Sequence, residues 1–385
     1  MDVTIANCDN YDSSSVDKAV GELFDNLGGT AKILGGAKRV FIKANLVRQM
    51  PPDKAATTHP SVIAAVAKKI IAETGAEVIV GDSPGGLYTA AHMAAVYKTC
   101  GMTDACEASG AKLNDDFGYS SVAVDGAVIK RMDCIDAFLK ADAVINVCKF
   151  KTHSLTGYSG CVKNLFGLIP GLMKVEMHTR FSDLGPFCDA LIDIERFAAA
   201  KINLHTIDAV TGMHKNGPTA GEPIFIGKLI ASRDAYFADI IAEKMFCDDV
   251  MKMPVIMKAA ERGVLAKPVG EIVCGAPVEK IDGFEGVDVG SMALYRYPKF
   301  IRKFIKNISS RKVKIKKDTC RGCGKCAVHC PNKAITIRDK KAHIKQSQCI
   351  RCYCCQELCP FLSVKLTKPL GYRVFRAFSG GRRSK

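Results

Sequence analysis

Along the first 290 residues, short apolar runs alternate with stretches of helical periodicity. Arg39–Leu46 reads as a buried strand. Pro60–Thr74 carries apolar residues at helical spacing and stops at Gly75. The short apolar run Ala76–Val80 follows, then the turn Gly81-Asp82-Ser83-Pro84-Gly85-Gly86, then a helical run over Tyr88–Thr99 that ends before Gly101. Ala143–Val147, Thr206–Val210 and Ile224–Ile226 read as further strands. Ile194–Ala200 and Ala235–Phe246 read as helices. Strands separated by helices predict an α/β body, a mainly parallel sheet with helices on both faces, over residues 1–290.

The pattern changes after residue 290. Pro298 precedes Phe300, Ile301, Phe304, Ile305 and Ile308, which share one helical face, with Lys and Arg on the other. This basic amphipathic linker covers residues 291–312. From 313 to 367 the apolar runs shorten to Ala334–Ile337, Ala342–Ile344 and Leu362–Leu366. They read as the strands of a small α+β domain with a turn at Arg338–Lys341. A basic tail, 368–385, closes the chain.

Cysteine spacing defines the small domain. Cys320, Cys323, Cys326 and Cys330, followed by Pro331, fit C-x2-C-x2-C-x3-C-P. Cys349, Cys352, Cys355 and Cys359, followed by Pro360, repeat the motif 29 residues later. In this ligand run three close thiolates hold one [4Fe–4S] cluster and the fourth reaches the other. The expected sets are therefore Cys320, Cys323, Cys326 and Cys359 for one cluster, and Cys349, Cys352, Cys355 and Cys330 for the second. Paired C-x2-C units also occur in zinc sites, but zinc needs four ligands, not two interlocked sets. The fold matches the dicluster ferredoxin. Cys354 is off the pattern and reads as a non-ligand. The other nine cysteines show no ligand spacing and read as small apolar core residues. Cys161, which lies in the most polar segment of the chain, is the exception. A third metal site using it and a nearby His is the alternative there.

Composition narrows the setting. The chain has 385 residues, 18 Cys, no Trp and a net charge of +16. Residues 291–317 hold ten Lys/Arg and no Asp/Glu, and 367–385 hold six and none, so the remainder is neutral overall. Charge concentrated in this way reads as a docking surface. The linker has three readings: a connector packed on the large domain, a peripheral contact with an anionic membrane, or a basic face for an acidic redox partner of ferredoxin or flavodoxin type. No nucleic-acid recognition motif accompanies the charge. No secretory pattern opens the chain and no apolar run is long enough to span a bilayer, so the expected location is cytoplasmic, with contact at the inner face of the membrane as the variant.

Ligands of open α/β sheets sit at the carboxyl ends of strands, and four segments there carry candidate chemistry. The first holds Lys43, Asn45 and, further on, His59. The second is the Gly81–Gly86 turn with Asp82 and Ser83. The third and richest runs from Lys149 to Gly167 with Lys149, Lys151, His153, Lys163 and Asn164. The fourth holds Asp208 and His214. The lysines suit a small anion such as phosphate or carboxylate, and His153 or His59 suits proton transfer. A plain turn is the competing reading of the second segment, and a solvated basic loop that of the third. Neither a Walker sequence nor a strand-following G-x-G-x-x-G is present.

Lys-x-Asn-Leu, Thr-His-Pro, Gly-Asp-Ser-Pro-Gly and Lys-x-Lys-Thr-His…Lys-Asn-x-x-Gly resemble the family catalogued as domain of unknown function 362. Members of that family often carry a C-terminal ferredoxin module. The resemblance implies that Lys43, Asn45, His59, Asp82, Lys151, His153, Lys163 and Asn164 share a site, and it implies no particular reaction. The functional expectation is a redox enzyme: clusters pass electrons to a small anionic substrate held by lysines. A non-catalytic electron carrier and a metallocofactor assembly factor are the alternatives.

Overall fold

The computed structural model describes residues 1–287 and 311–367. The linker helix expected over 299–308 and the basic tail lie outside the described residues. Two compact units emerge: Met1–Lys174 with Cys188–Val287, and Val175–Phe187 with Asp288–Lys385.

The larger unit is built on one mixed sheet. Its strands are β1 (Val3–Asn7), β2 (Arg39–Lys43), β3 (Glu77–Gly81), β4 (Lys112–Leu113), β7 (Ala143–His153), β8 (Gly157–Ser159), β9 (Ile202–His214) and β10 (Glu222–Ser232), with β5 (Tyr119–Ala123) and β6 (Arg131–Ile135) forming a separate hairpin. The sheet order is β1-β10-β9-β7-β2-β3-β4, with β8 against β7. Pairs β9/β7, β7/β2, β2/β3 and β3/β4 are parallel, and β1/β10, β10/β9 and β7/β8 are antiparallel.

Strand β7 is central, and all of its 11 residues are buried. Side chains alternate between the two faces of a strand. Ala143, Ile145 and Val147 join the main apolar core, together with Val16, Val20, Ile33 and Val66 from the helices α1 (Ser13–Asn26), α2 (Thr30–Leu34) and α3 (Pro60–Thr74). Asn146 and Cys148 face the other way. There a short helix (Cys161–Asn164) and a longer one (Ala235–Lys244) are tied together by Asp239, which accepts from the backbone N–H groups of Cys161 and Val162. Helices thus cover both faces.

One element differs from expectation in an instructive way. The strand expected over 143–147 continues through His153, because the charge that argued for a loop is matched inside the sheet. Register places Lys149 beside Asp208 of β9, and their side chains form an ion pair of 2.8 Å. The solvated-loop reading of 149–153 is therefore wrong. Helix α3, by contrast, has the bounds its periodicity predicted. His59 caps it, its ring nitrogen accepting from the Ser61 N–H, and Gly75 ends it at φ 65°, a left-handed position that glycine takes without a steric cost.

In the smaller unit, strands Val313–Ile315 and Val364–Leu366 pair antiparallel, as do Ile335–Arg338 and Lys341–Ile344. The 29-residue repeat extends to the backbone. Gly322, Gly324 and Lys333 have positive φ, and so do Arg351, Tyr353 and Leu362 at the equivalent positions. The second copy thus forces side chains into conformations that the first mostly gives to glycine. The hairpin turn places Asp339 and Lys340 at φ 51° and 53°, the geometry that favours Asn-Gly. Lys340→Gly is expected to stabilise the unit by about 0.5–1 kcal/mol, read as a raised denaturation midpoint.

Charge separates along the sequence more finely than its concentrated runs indicate. Residues 1–290 hold 30 basic and 36 acidic residues, whereas 318–366 hold nine and three. The cysteine-rich segment is itself cationic.

Candidate functional site: a paired cysteine centre and a lysine-bearing sheet edge

Two cavities define the cysteine centre. One is lined by Cys320, Cys323, Cys326 and Cys359. The other is lined by Cys330, Cys349, Cys352 and Cys355. The fold therefore sorts the eight thiols into the interleaved quartets that spacing predicted, each taking its fourth member from the other run. Cys354 lines neither cavity. No carboxylate or imidazole lines either one, and among the described residues no three Cys, His, Asp or Glu are spaced to hold a single metal ion. Four thiols around an apolar space suit a [4Fe–4S] cluster. The backbone N–H groups of Ala342, Ala334 and Ser363 donate to the sulfurs of Cys320, Cys330 and Cys359 at 3.4, 3.2 and 3.3 Å. Such bonds help set a cluster's potential.

In the larger unit, the residues expected to share one site are divided by the sheet. On the α1/α3 face, Asp208 is fully buried. It accepts from Lys149 Nζ at 2.8 Å, the Tyr11 hydroxyl at 2.9 Å and the His59 backbone N–H at 2.8 Å. Lys149 also donates to the Tyr11 oxygen at 2.8 Å, and the His59 ring stacks on Tyr11 at 3.5 Å. Burial lowers the Lys149 pKa, and Asp208 opposes that effect. Tyr11 was not among the expected residues: it lies far off in sequence, in a segment with no motif.

On the opposite face, Lys43 pairs with Asp82 at 2.5 Å, both buried. Asp82 also accepts from the backbone N–H groups of Leu46 and Ser83, each at 2.7 Å. Lys174, likewise not expected, donates to the Ser83 carbonyl at 2.5 Å and to the Ile169 carbonyl. Burial lowers its pKa to about 7. A Cβ at Gly167 would approach Lys43 Nζ within 2.5 Å and would press on Asp82. Gly167→Ala is therefore expected to cost about 1–3 kcal/mol, measured by chemical denaturation. This is the physical reason for a glycine at the end of the Lys149–Gly167 segment.

A chain of amides joins the two faces across the strand ends. Lys151 Nζ donates to Asn45 Oδ1 at 2.5 Å and Asn45 Nδ2 to Asn164 Oδ1 at 2.6 Å. Asn164 Nδ2 donates to Asn146 Oδ1 at 2.8 Å, and Asn146 Nδ2 lies 3.0 Å from His205 Nδ1. Every bond points the same way, so each polarises the next. Lys163 is half-buried, with its Nζ 4.3 Å from the Phe166 ring centre. His153 lies at the β7–β8 turn, where its Nδ1 accepts from the backbone N–H groups of Leu155 and Thr156. His214 is set apart from Asp208: its Nδ1 accepts from the Glu285 N–H. Cys161 has Cys148 beside it, not a histidine.

A half-buried histidine, His59, and a buried one, His205, give the larger unit an acid-sensitive stability. Burial holds His59 at about 4, with Lys149 lowering it further and Asp208 opposing, and holds His205 at about 3. Their ordinary value is 6.5. Both stay neutral in the folded chain while the unfolded chain takes up protons below 6.5. Stability is thus complete above that pH and falls as pH drops towards 4 and then 3. His205 alone contributes a slope of up to about 1.4 kcal/mol per pH unit. Urea midpoints at pH 7.5 and 5.5 check the sign.

The fold and sites define an α/β protein fused to an iron–sulfur module. Residues 40–244 match the family described as Domain of unknown function (DUF362), and residues 312–360 match the 4Fe-4S dicluster domain. The chain belongs to the DUF362 family. It is 28% identical over 261 residues to the Thylakoid-associated protein sll1697 of Synechocystis sp., covering 68% of this chain and 78% of that protein. Among solved structures it is similar to the lactate racemase apoprotein of Thermoanaerobacterium thermosaccharolyticum, with 13% identity, TM-score 0.40, and 63% of this chain and 57% of that one covered. A Thermotoga maritima protein gives 12% identity, TM-score 0.39, and 62% and 59% covered. The matches thus span less than two thirds of either solved chain. The 4Fe-4S domain makes this an iron–sulfur protein of the electron-transfer class. Among the described residues no helix is long and apolar enough to cross a membrane.

Proposed function

We propose that this chain loads two [4Fe–4S] clusters and delivers electrons singly to a small anionic substrate bound at the strand ends of its α/β unit. The observation that carries the reading is the pair of cavities, each lined by four cysteines drawn from both runs. When bound, each cluster supplies one-electron redox chemistry. Cys320, Cys323, Cys326 and Cys359 hold one, and Cys330, Cys349, Cys352 and Cys355 hold the other.

Within the α/β unit the roles differ from the simplest picture of lysines gripping an anion. Lys43 and Lys149 each face a carboxylate, so they organise the strand ends. Lys151, Lys163 and Lys174 supply the positive field for the substrate. His59, half-buried and neutral, handles the proton, because its Nδ1 accepts from Ser61 and the other ring nitrogen carries the hydrogen. His153 orders the β7–β8 turn. Stepwise reduction of the anaerobically reconstituted chain tests the electron count. Uptake of about two electrons per chain, with bleaching of the visible absorbance, supports the reading. Uptake of none would refute it. For the substrate class, thermal shifts with inorganic phosphate and with a dicarboxylate are expected in the native chain and not in Lys163→Met. No shift with either ion would remove the anion site.

A second reading, peripheral membrane contact, is favoured by the thylakoid association in the relative's name and by charge. Residues 291–385 hold 25 basic residues and three acidic ones. Anionic surfaces attract such segments. Salt-reversible sedimentation with phosphatidylserine vesicles, absent with neutral ones, supports it. Binding to an acidic ferredoxin or flavodoxin in place of vesicles supports a soluble donor.

A further inference from the structure

Cys148 and Cys161 belong to neither cysteine run, yet they meet inside the α/β unit. Cys148 lies on β7 and Cys161 opens the short helix after β8. Their sulfurs are 3.6 Å apart, and at 1% and 0% exposure both are shielded from bulky reagents. Asp239 accepts from the Cys161 backbone N–H at 2.6 Å, and the same carboxylate interacts with the Cys161 thiol. Burial raises Asp239 to about 7, so it can both take and return a proton near neutrality. Glu243, one turn further along the helix, and Tyr158 are each 3% exposed. Glu243 Oε2 and the Tyr158 hydroxyl have no hydrogen-bond partner among the described residues. Two thiols, a carboxylate and two unsatisfied polar atoms thus share one dry region.

We propose that Cys148 and Cys161 are a redox-active dithiol that a peroxide oxidises to a disulfide, with Asp239 as the proton acceptor. Asp239 takes the Cys161 proton. The thiolate attacks one peroxide oxygen, the O–O bond breaks, and Cys161 becomes a sulfenic acid. The departing hydroxide takes the proton back from Asp239 and leaves as water. The Cys148 sulfur then attacks the Cys161 sulfur, the S–O bond breaks, and the second water carries off the Cys148 proton. Two thiols and one hydrogen peroxide give one disulfide and two waters, and two electrons pass from sulfur to oxygen. The sulfurs need to close from 3.6 Å to about 2.05 Å. Burial selects the oxidant: hydrogen peroxide is nearly as small as water, and the unsatisfied Glu243 and Tyr158 atoms offer it polar partners. Burial also raises both thiols above their usual range, so the nearby carboxylate is what makes a thiolate accessible.

The pair has a route to the sheet edge. The Cys161 carbonyl accepts from Asn146 Nδ2 at 3.1 Å, and Asn146 belongs to the amide chain that ends on Lys151. Drawing Cys161 towards β7 acts on that chain. The oxidation itself needs no cluster and stands apart from the function proposed above.

The test uses the full chain, reconstituted anaerobically and treated with one equivalent of hydrogen peroxide. Acid quenching, alkylation and peptide mapping then locate each thiol. The expected result is a linked pair of peptides carrying Cys148 and Cys161, lighter by two hydrogens and separated by dithiothreitol, with Cys188 still a free thiol. Cys148→Ser is expected to leave Cys161 as a sulfenic acid that dimedone captures once the chain is unfolded. Asp239→Asn is expected to form the same link at least about tenfold more slowly. Cys148 and Cys161 both recovered as separately alkylated residues would overturn the proposal, as would irreversible sulfinic acid at Cys161 beside an intact Cys148. An unchanged rate in Asp239→Asn overturns the role given to the carboxylate.

Discussion

Cys330→Ser is expected to remove iron from the cavity formed by the second cysteine run, leaving the first run's cluster in place. Cys359→Ser is expected to do the reverse. Each single variant should retain about four of about eight iron atoms, and the two should differ in which cysteines become open to alkylation. In Cys330→Ser the newly reactive thiols should be Cys349, Cys352 and Cys355. In Cys359→Ser they should be Cys320, Cys323 and Cys326. The reason is geometric. Pro331 and Pro360 follow the fourth cysteines, and the cavities place Cys330 with the second run and Cys359 with the first. Alkylation confined to the variant's own run in both cases would show that each run closes on itself.

The second large effect falls on the buried ion pair of the α/β unit. Asp208→Ala is expected to cost about 3–5 kcal/mol, read as a lower denaturant midpoint with the cluster iron retained. The substitution strands the Lys149 ammonium, which is 1% exposed, and removes acceptors from Tyr11 and the His59 N–H. The loss should exceed what the pair itself contributes, because a buried pair is offset by the desolvation of both charges. Lys149→Met with Asp208→Leu should therefore lose less than Asp208→Ala alone. Equal losses would mean that Lys149 reaches water when its partner is gone.

How much of this was legible depended on the range of the signal. The cluster ligands were readable because every constraint is local: C-x2-C-x2-C-x3-C-P fixes three thiols in one turn, and repetition at 29 residues supplies the distant fourth. Helix α3 was readable because Pro60 and Gly75 mark its ends in sequence. The end of β7 was not, because Lys149 looks like a loop residue until Asp208, 59 positions away, arrives beside it. Tyr11 and Lys174 were missed for the same reason. Their role exists only through tertiary contact, and a lone Tyr or Lys carries no spacing signal. The shared site implied by the family resemblance proved to be two clusters on opposite faces. Alternation along β2 and β7 assigns Lys43 to one face and Lys149 to the other, a division visible only once the strands are known to run that far. Asn45 and Asn164, expected as ligand-binding residues, form the middle of the link between them.

Metal and sulfide analysis of the anaerobically reconstituted, full-length chain bears most directly on the paired cysteine centre. About eight iron and eight acid-labile sulfides per chain, with no zinc, are expected. One or two zinc ions with no labile sulfide, or iron that stays near four per chain at saturation, would contradict it.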